Sequence, residues 1–259
     1  MRKRIEKFSF APNMMRVVCT TDERIRKPSC MVEDVPEKDN YCGISAGLIS
    51  DNGVEFSWRG RPLLKQIDWN LREHDVTRDI IPGGRPQIVM RRTVDGERAF
   101  VENAENIKIG TAFGGSVRFQ VEADELLFGL GQHERGYYNH RGMTEYLYQN
   151  NMKIPMPVIV SSKGYALFFD CTSQMIYEEE NNVVTVSFHS VDQIDYYVIA
   201  GNTMDEIISS LRRLTGRAVL LPKWAYGYIQ SKERYIDQEE MVETVKEFRN
   251  RKIPLSCLV

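Results

Sequence analysis

PKWAYGYIQSKERYIDQEEMVETVKEFRNRKIPLSCLV, residues 222–259, decides how this chain is parsed. Trp224 to Ser231 reads as a strand. Asp237 follows as a helix N-cap, with Glu240 three residues on in the capping-box position. Met241, Val242, Val245 and Phe248 form one apolar stripe, expected to be buried, and Arg249, Arg251 and Lys252 suit the negative end of the helix dipole. Ile253 to Val259 is a nearly continuous apolar run, the pattern of a strand buried on both faces. Strand, helix and strand make a βαβ unit, and the parallel sheet it opens needs many strands with both faces covered. The expectation is a complete first domain over residues 1–221, a junction at Pro222, and the first βαβ of a larger domain over 222–259 that breaks off after Val259.

Working back from that junction, Met204 to Thr215 reads as a helix closing the first domain. Thr203 and Glu206 form its capping box, Ile207, Ile208, Leu211 and Leu214 its apolar stripe, and Gly216 its stop. Everything before it reads as β-rich. Val183 to Phe188 and Ile194 to Ile199 are rich in β-branched and aromatic residues. Pro157 to Asp170 holds two apolar runs around the turn Ser161-Ser162-Lys163-Gly164. Val117, Phe119 and Val121 alternate with polar residues, and Asp51-Asn52-Gly53 is a hairpin signal. Many short strands with such turns predict a β-sandwich. The acidic run Glu178-Glu179-Glu180 is expected in a solvated loop between strands.

Composition narrows the function classes. Hydrophobic residues are 42% and charged residues 27%, an ordinary balance for a globular protein, and a net charge of -2 gives no footprint for nucleic acid. Met1-Arg2-Lys3-Arg4 is not followed by an apolar run, so no secretory signal is read, and no stretch has the apolar length of a membrane span. The five cysteines are scattered without a C-x-x-C pair, and the four histidines lack metal-ligand spacing. The reading is free thiols in a cytoplasmic protein, with no metal and no cofactor.

Several short stretches then fall in a telling order: FGLGQH at 128–133, NHRG at 139–142, PVIVSSKGYALFFD at 157–170, DYYVIAG at 195–201, LTGR at 214–217 and PKWAYGYIQSKERY at 222–235. In this order the chain resembles glycoside hydrolase family 31, the retaining α-glucosidases and α-xylosidases. The likeness leans to the α-xylosidase-like branch and covers roughly Leu126 to Val259. It implies a galactose-mutarotase-like β-sandwich followed by a (β/α)8 barrel, here truncated. The family's catalytic carboxylates would lie beyond Val259, so this chain is expected to hold no catalytic residue and to be inactive alone. The implied partner is an oligosaccharide or α-glycoside, and the full-length enzyme could be a homo-oligomer.

Five residues are singled out as substrate-binding. His133, Tyr138 and Asn151 belong to a polar, aromatic segment over 133–151, with Tyr137, His140, Tyr146 and Tyr148 also in it. Aromatic faces and amide donors suit a sugar, which has apolar ring faces and a rim of hydroxyls. By the resemblance, this segment reaches over the barrel mouth to the leaving-group subsite, with Asn151 where an aspartate usually stands. Glu233 and Tyr235 are placed, again by resemblance, near the pocket of the non-reducing sugar. Trp224 is expected in the core, and Lys232 and Arg234 in ion pairs with Glu233 or Glu239. The structural alternative for 133–151 is a plain surface loop, and for Gly129 and Gly131 a sharp turn leaving the sandwich. The rival function is a non-catalytic sandwich binding carbohydrate or protein; the βαβ at 222–259 speaks against it.

Overall fold

The computed structural model describes residues 3–33, 42–93, 96–149 and 151–259. It divides into two compact units, Met1–Gly216 and Arg217–Val259. In the first unit the strands run in chain order β1 (Arg4–Ala11), β2 (Met14–Thr20), β3 (Ile44–Leu48), β4 (Val54–Trp58), β5 (Arg61–Ile80), β6 (Ile88–Thr93), β7 (Gly96–Val101) and β8 (Glu105–Gln120). They continue as β9 (Leu127–Gln132), β10 (Thr144–Leu147), β11 (Ile154–Ser161), β12 (Tyr165–Phe169), β13 (Met175–Glu180), β14 (Val183–Phe188) and β15 (Ile194–Ala200), followed by helix α1 (Met204–Thr215).

Two antiparallel sheets face each other. One has the order β1-β2-β15-β12-β11-β9 and the other β10-β13-β14-β8-β5-β4-β3. Between them lies one apolar core in which Trp69, Phe119, Phe169, Tyr177 and Tyr196 are fully enclosed. Strands of the second sheet alternate, as in Val54-Phe56-Trp58 inward with Glu55 and Ser57 turned away, so that sheet has one wet face. The first sheet is covered on its other face too. Helix α1 lays Ile207, Leu211 and Leu214 against Val158, Val160, Ala166, Phe168, Tyr197 and Ile199. That second cover explains why β2, β12 and β15 bury every residue.

The helix has the ends its sequence predicts. Thr203 accepts from the Glu206 backbone N–H at 3.2 Å, the Glu206 carboxylate accepts from the Asn202 N–H at 2.8 Å, and Gly216 leaves the helix at φ +84°. The hairpin at Asp51-Asn52-Gly53 joins β3 and β4, and Ser161-Ser162-Lys163-Gly164 turns β11 into β12. One feature runs against the sequence reading and a second lies outside it. Glu178, Glu179 and Glu180 are not in a solvated loop but in β13, and Glu179 is buried. β5 and β8 pair over almost their whole length, and a separate β6–β7 hairpin lies between them in sequence.

In the second unit, a short 3-10 turn (Lys223–Tyr226) precedes β16 (Ile229–Gln230), helix α2 (Gln238–Asn250) and β17 (Cys257–Leu258). β16 and β17 pair in parallel, so the βαβ topology is as expected, with much shorter strands. Asp237 caps α2 by accepting from the Glu240 N–H at 2.8 Å. The expected buried stripe is not buried: Met241 and Val242 are exposed, Val245 and Phe248 half-buried. A sheet of two short strands covers only part of one helix face. Trp224, expected in the core, is 56% exposed, because the 3-10 turn leaves its ring outside the strand pair.

Candidate functional site

The segment after β9 is built on an unusual stretch of backbone. Gly129 (φ +106°), Leu130 (φ +59°) and Gly131 (φ +89°) lie in succession in the left-handed region. A Cβ at Gly129 would sit 2.4 Å from the Val158 carbonyl oxygen, and one at Gly131 2.0 Å from that of Ile154. Both positions therefore require glycine, for conformation and for the close approach to β11. The β9–β11 ladder shifts register here, between Pro155 and Ile159. This is a distorted strand rather than a turn leaving the sandwich.

Two imidazoles meet the carbonyls of this stretch. His133 Nε2 lies 2.8 Å from the Leu130 oxygen and His140 Nε2 lies 3.2 Å from the Gly129 oxygen. A carbonyl only accepts, so each Nε2 donates and carries its ring's proton. The opposite nitrogens turn toward one carboxylate on β10. His133 Nδ1 is 3.4 Å from Glu145 Oε2, and His140 Nδ1 is 3.9 Å from Glu145 Oε1. The three side chains are 6%, 4% and 2% exposed. Among the described residues, neither Nδ1 has a hydrogen-bond partner. Arg135 approaches Glu145 Oε1 at 4.0 Å from the solvent side, and Tyr177 on β13 donates its hydroxyl to the His140 carbonyl at 2.9 Å. Burial pushes the His140 imidazole below its ordinary value, against the opposing pull of the Glu145 charge.

Two further carboxylates are buried in this unit, and one of them, Glu179, ties the same segment to β13. Glu125 accepts from Ser161 Oγ and Tyr165 Oη at 2.5 Å each and from the Glu122 N–H at 2.9 Å. Burial first, and the Glu125 charge second, hold the Tyr165 phenol well above its usual range. Glu179 accepts from the Gly142 N–H at 2.5 Å and the Asn182 N–H at 3.0 Å, and lies 3.2 Å from Arg141 Nε. Each is held by protein groups.

The outward side of the segment is aromatic. Tyr138 is 84% exposed, and Tyr137, Tyr146 and Tyr148 are also exposed, the last two with ring centroids 6.3 Å apart and edge to face. Beside Tyr148 and Gln149 a groove is floored by Met156 and Pro157 and bounded by Met31 and Cys171.

The five residues singled out in the sequence thus take different positions. His133 faces the interior, Tyr138 faces solvent, and Asn151 is exposed at the turn before β11, while Asn150 beside it lies outside the described residues. In the second unit Glu233 is exposed and Tyr235 half-buried, its hydroxyl enclosed and unpaired. Lys232 lies 5.0 Å over the Tyr235 ring and pairs with Glu240 at 2.5 Å, not with Glu233 or Glu239. Glu145 escaped the sequence reading, although a signal was there: in Thr144-Glu145-Tyr146-Leu147 it shares the inward face with Leu147. Among the described residues no three His, Cys, Asp or Glu side chains are arranged to hold a metal ion.

Known proteins match in the following way. Residues 218–259 fit the family model described as the Glycosyl hydrolases family 31 TIM-barrel domain. An alpha-xylosidase of Saccharolobus solfataricus is 45% identical over 150 residues, 54% of this chain and 20% of that protein. Alpha-glucosidase 2 of Bacillus thermoamyloliquefaciens is 32% identical over 152 residues, 53% of this chain and 19% of that protein. A solved GH31 alpha-xylosidase from a soil metagenome, complexed with xylose, superposes with a TM-score of 0.67 over 99% of this chain and 39% of its own, at 21% identity. That likeness shows the fold. The chain spans about one fifth of the length of these curated relatives.

Proposed function

We propose that this chain belongs to glycoside hydrolase family 31 and is the N-terminal portion of a retaining α-glycosidase acting on α-xylosides or α-glucosides. The observation that carries the reading is a coincidence of position. The family's barrel match covers residues 218–259, and the parallel β16–α2–β17 unit lies within those residues. The chain then supplies the sandwich and the first strand, helix and strand of the barrel.

In this reading the reacting carboxylates come from barrel strands after β17. One attacks the anomeric carbon and forms a glycosyl-enzyme. The other protonates the leaving oxygen, then activates the water that releases the sugar, the two standing about 5 Å apart. Such a mechanism uses no metal and no nucleotide. The exposed tyrosines of 137–148 are assigned the leaving group, whose apolar sugar faces they can cover.

The test is an assay with p-nitrophenyl α-xyloside and α-glucoside of two proteins: the product of the whole gene and the isolated 259-residue chain. The first should turn over at least one substrate and the second neither. Turnover by the isolated chain that survives further purification would put a catalytic pair within these residues. A whole-gene product inert on both would remove the glycosidase reading.

A further inference from the structure

We propose that His133, Glu145 and His140 form a buried proton-binding site that pins the 133–149 segment to the sandwich, with the pinning proton between His133 Nδ1 and Glu145 Oε2. The argument begins with the donors. Both Nε2 atoms are committed to backbone carbonyls, so the neutral rings each present an Nδ1 lone pair to the carboxylate. The two Nδ1 lone pairs, buried and without a hydrogen-bond partner among the described residues, face the buried Glu145 carboxylate and repel it, and an unsatisfied buried polar group costs free energy in proportion to its desolvation. One added proton turns the 3.4 Å approach of His133 to Glu145 into a hydrogen bond and brings the trio to net charge zero. His140, farther off at 3.9 Å, stays neutral, in keeping with the direction in which burial moves it.

Among the described residues, no other donor reaches these nitrogens. On the same segment Arg135 reaches only the carboxylate, at 4.0 Å, and Arg141 is turned to Glu179. From β13, Tyr177 spends its hydroxyl on the His140 carbonyl, and Glu179 is satisfied by Gly142, Asn182 and Arg141. The trio joins three points of the chain: the end of β9, the middle of the segment and β10. Loss of the proton leaves repulsion at the point where the segment starts, so rising pH should loosen it.

The proposal is independent of the glycosidase reading, and the 259-residue chain itself is the material for the test. Imidazole 15N spectra should show His133 with both nitrogens protonated at neutral pH, and His140 as the neutral Nε2–H tautomer. As the pH is raised, tryptic cleavage after Arg135 should become about tenfold faster, the population change expected from losing one charge-assisted hydrogen bond. In Glu145→Gln the side-chain amide donates to His133 Nδ1 directly, so His133 should become a neutral Nε2–H ring and the pH dependence of cleavage should vanish. The spectra of the unaltered chain decide the matter even if that variant folds poorly. A neutral His133 at neutral pH overturns the site. A protonated His133 with pH-independent cleavage overturns the pinning.

Discussion

Arg16 on β2 and Asp195 on β15 form a buried ion pair across neighbouring strands, with Arg16 Nε 3.0 Å from Asp195 Oδ1 and 3.2 Å from Oδ2. The pair is also closed at both ends. The guanidinium donates to the Arg26 carbonyl at 2.7 Å, and the carboxylate accepts from Gln193 Nε2 at 2.9 Å. Such a pair contributes little net stability over an apolar pair of equal size, but removing one partner strands the other charge. Arg16→Met should cost about 3–5 kcal/mol in urea unfolding of the sandwich, and Arg16→Met with Asp195→Leu together much less. Additive losses in the double variant would show that the two side chains do not act as a pair.

The glycines at 129 and 131 make the second case, in which conformation and crowding can be separated. Gly136 also has a positive φ, +69°, but nothing lies within 4 Å of where its Cβ would go. Gly136→Ala should cost about 1–2 kcal/mol, the penalty for an L-residue in the left-handed region. Gly131→Ala adds a Cβ placed 2.0 Å from the Ile154 carbonyl oxygen and should exceed about 4 kcal/mol or prevent folding. Thermal and urea midpoints of the two variants measure the difference. Similar losses would mean that β11 yields to the new methyl group.

These glycines also show what the sequence could and could not tell. Periodicity located α1 at its observed bounds and found the β11–β12 hairpin, because each presents one clean apolar pattern to one partner layer. It misplaced Glu178–Glu180, because a carboxylate buried by two backbone N–H donors and an arginine has no apolar signature. All of β5 and the outer part of β8 were missed for a related reason. Arg72 to Asp79 is polar on both faces, so it lacks the alternation that marks a half-buried strand. Of the candidate site, the exposed tyrosines were legible from composition. The inward turn of His133 was not, since it depends on a carbonyl that Leu130 offers only in its left-handed conformation.

His140 gives the acid limb of the pH profile. Burial, with a smaller push from His133, holds its folded-state pKa below the unfolded value of about 6.5. The folded state therefore binds fewer protons at this ring than the unfolded chain does. Its contribution is present above the unfolded value and is lost as pH falls through the folded one. Sandwich stability should decline as the solution is acidified through that window. His140→Gln, which keeps a donor for the Gly129 carbonyl, should flatten the decline. Urea midpoints across this range, for parent and variant, provide the check; identical slopes would assign the acid limb to another group.

The thiols should separate by burial. Cys30 is exposed, whereas burial pushes the Cys19 thiol far up and also raises Cys42 and Cys171. Reaction requires the thiolate and access to it. In the folded chain Cys30 should react first with a disulfide reagent and Cys19 not at all, while all five thiols should react after denaturation. Persistence of the fast phase in Cys30→Ser would show that another cysteine is open to solvent.

Under the proposed function, Tyr138 should affect the leaving group more than the chemistry. It belongs to the sandwich unit, not to the strands assigned to the barrel, and at 84% exposed it has a ring face free to lie against a sugar. Its loss removes an aromatic contact of about 1 kcal/mol. In the whole-gene product, Tyr138→Ala should lower kcat/KM for a disaccharide about fivefold, since a contact free energy of that size enters the transition state directly. A small fluoride leaving group offers the ring no sugar face, so the corresponding glycosyl fluoride should be hydrolysed at nearly the parent rate. The ratio of the two losses is what matters, because a fall in folded protein lowers both substrates alike. Equal losses on disaccharide and fluoride would detach Tyr138 from the leaving group and return the outward face of 133–149 to an ordinary surface connection.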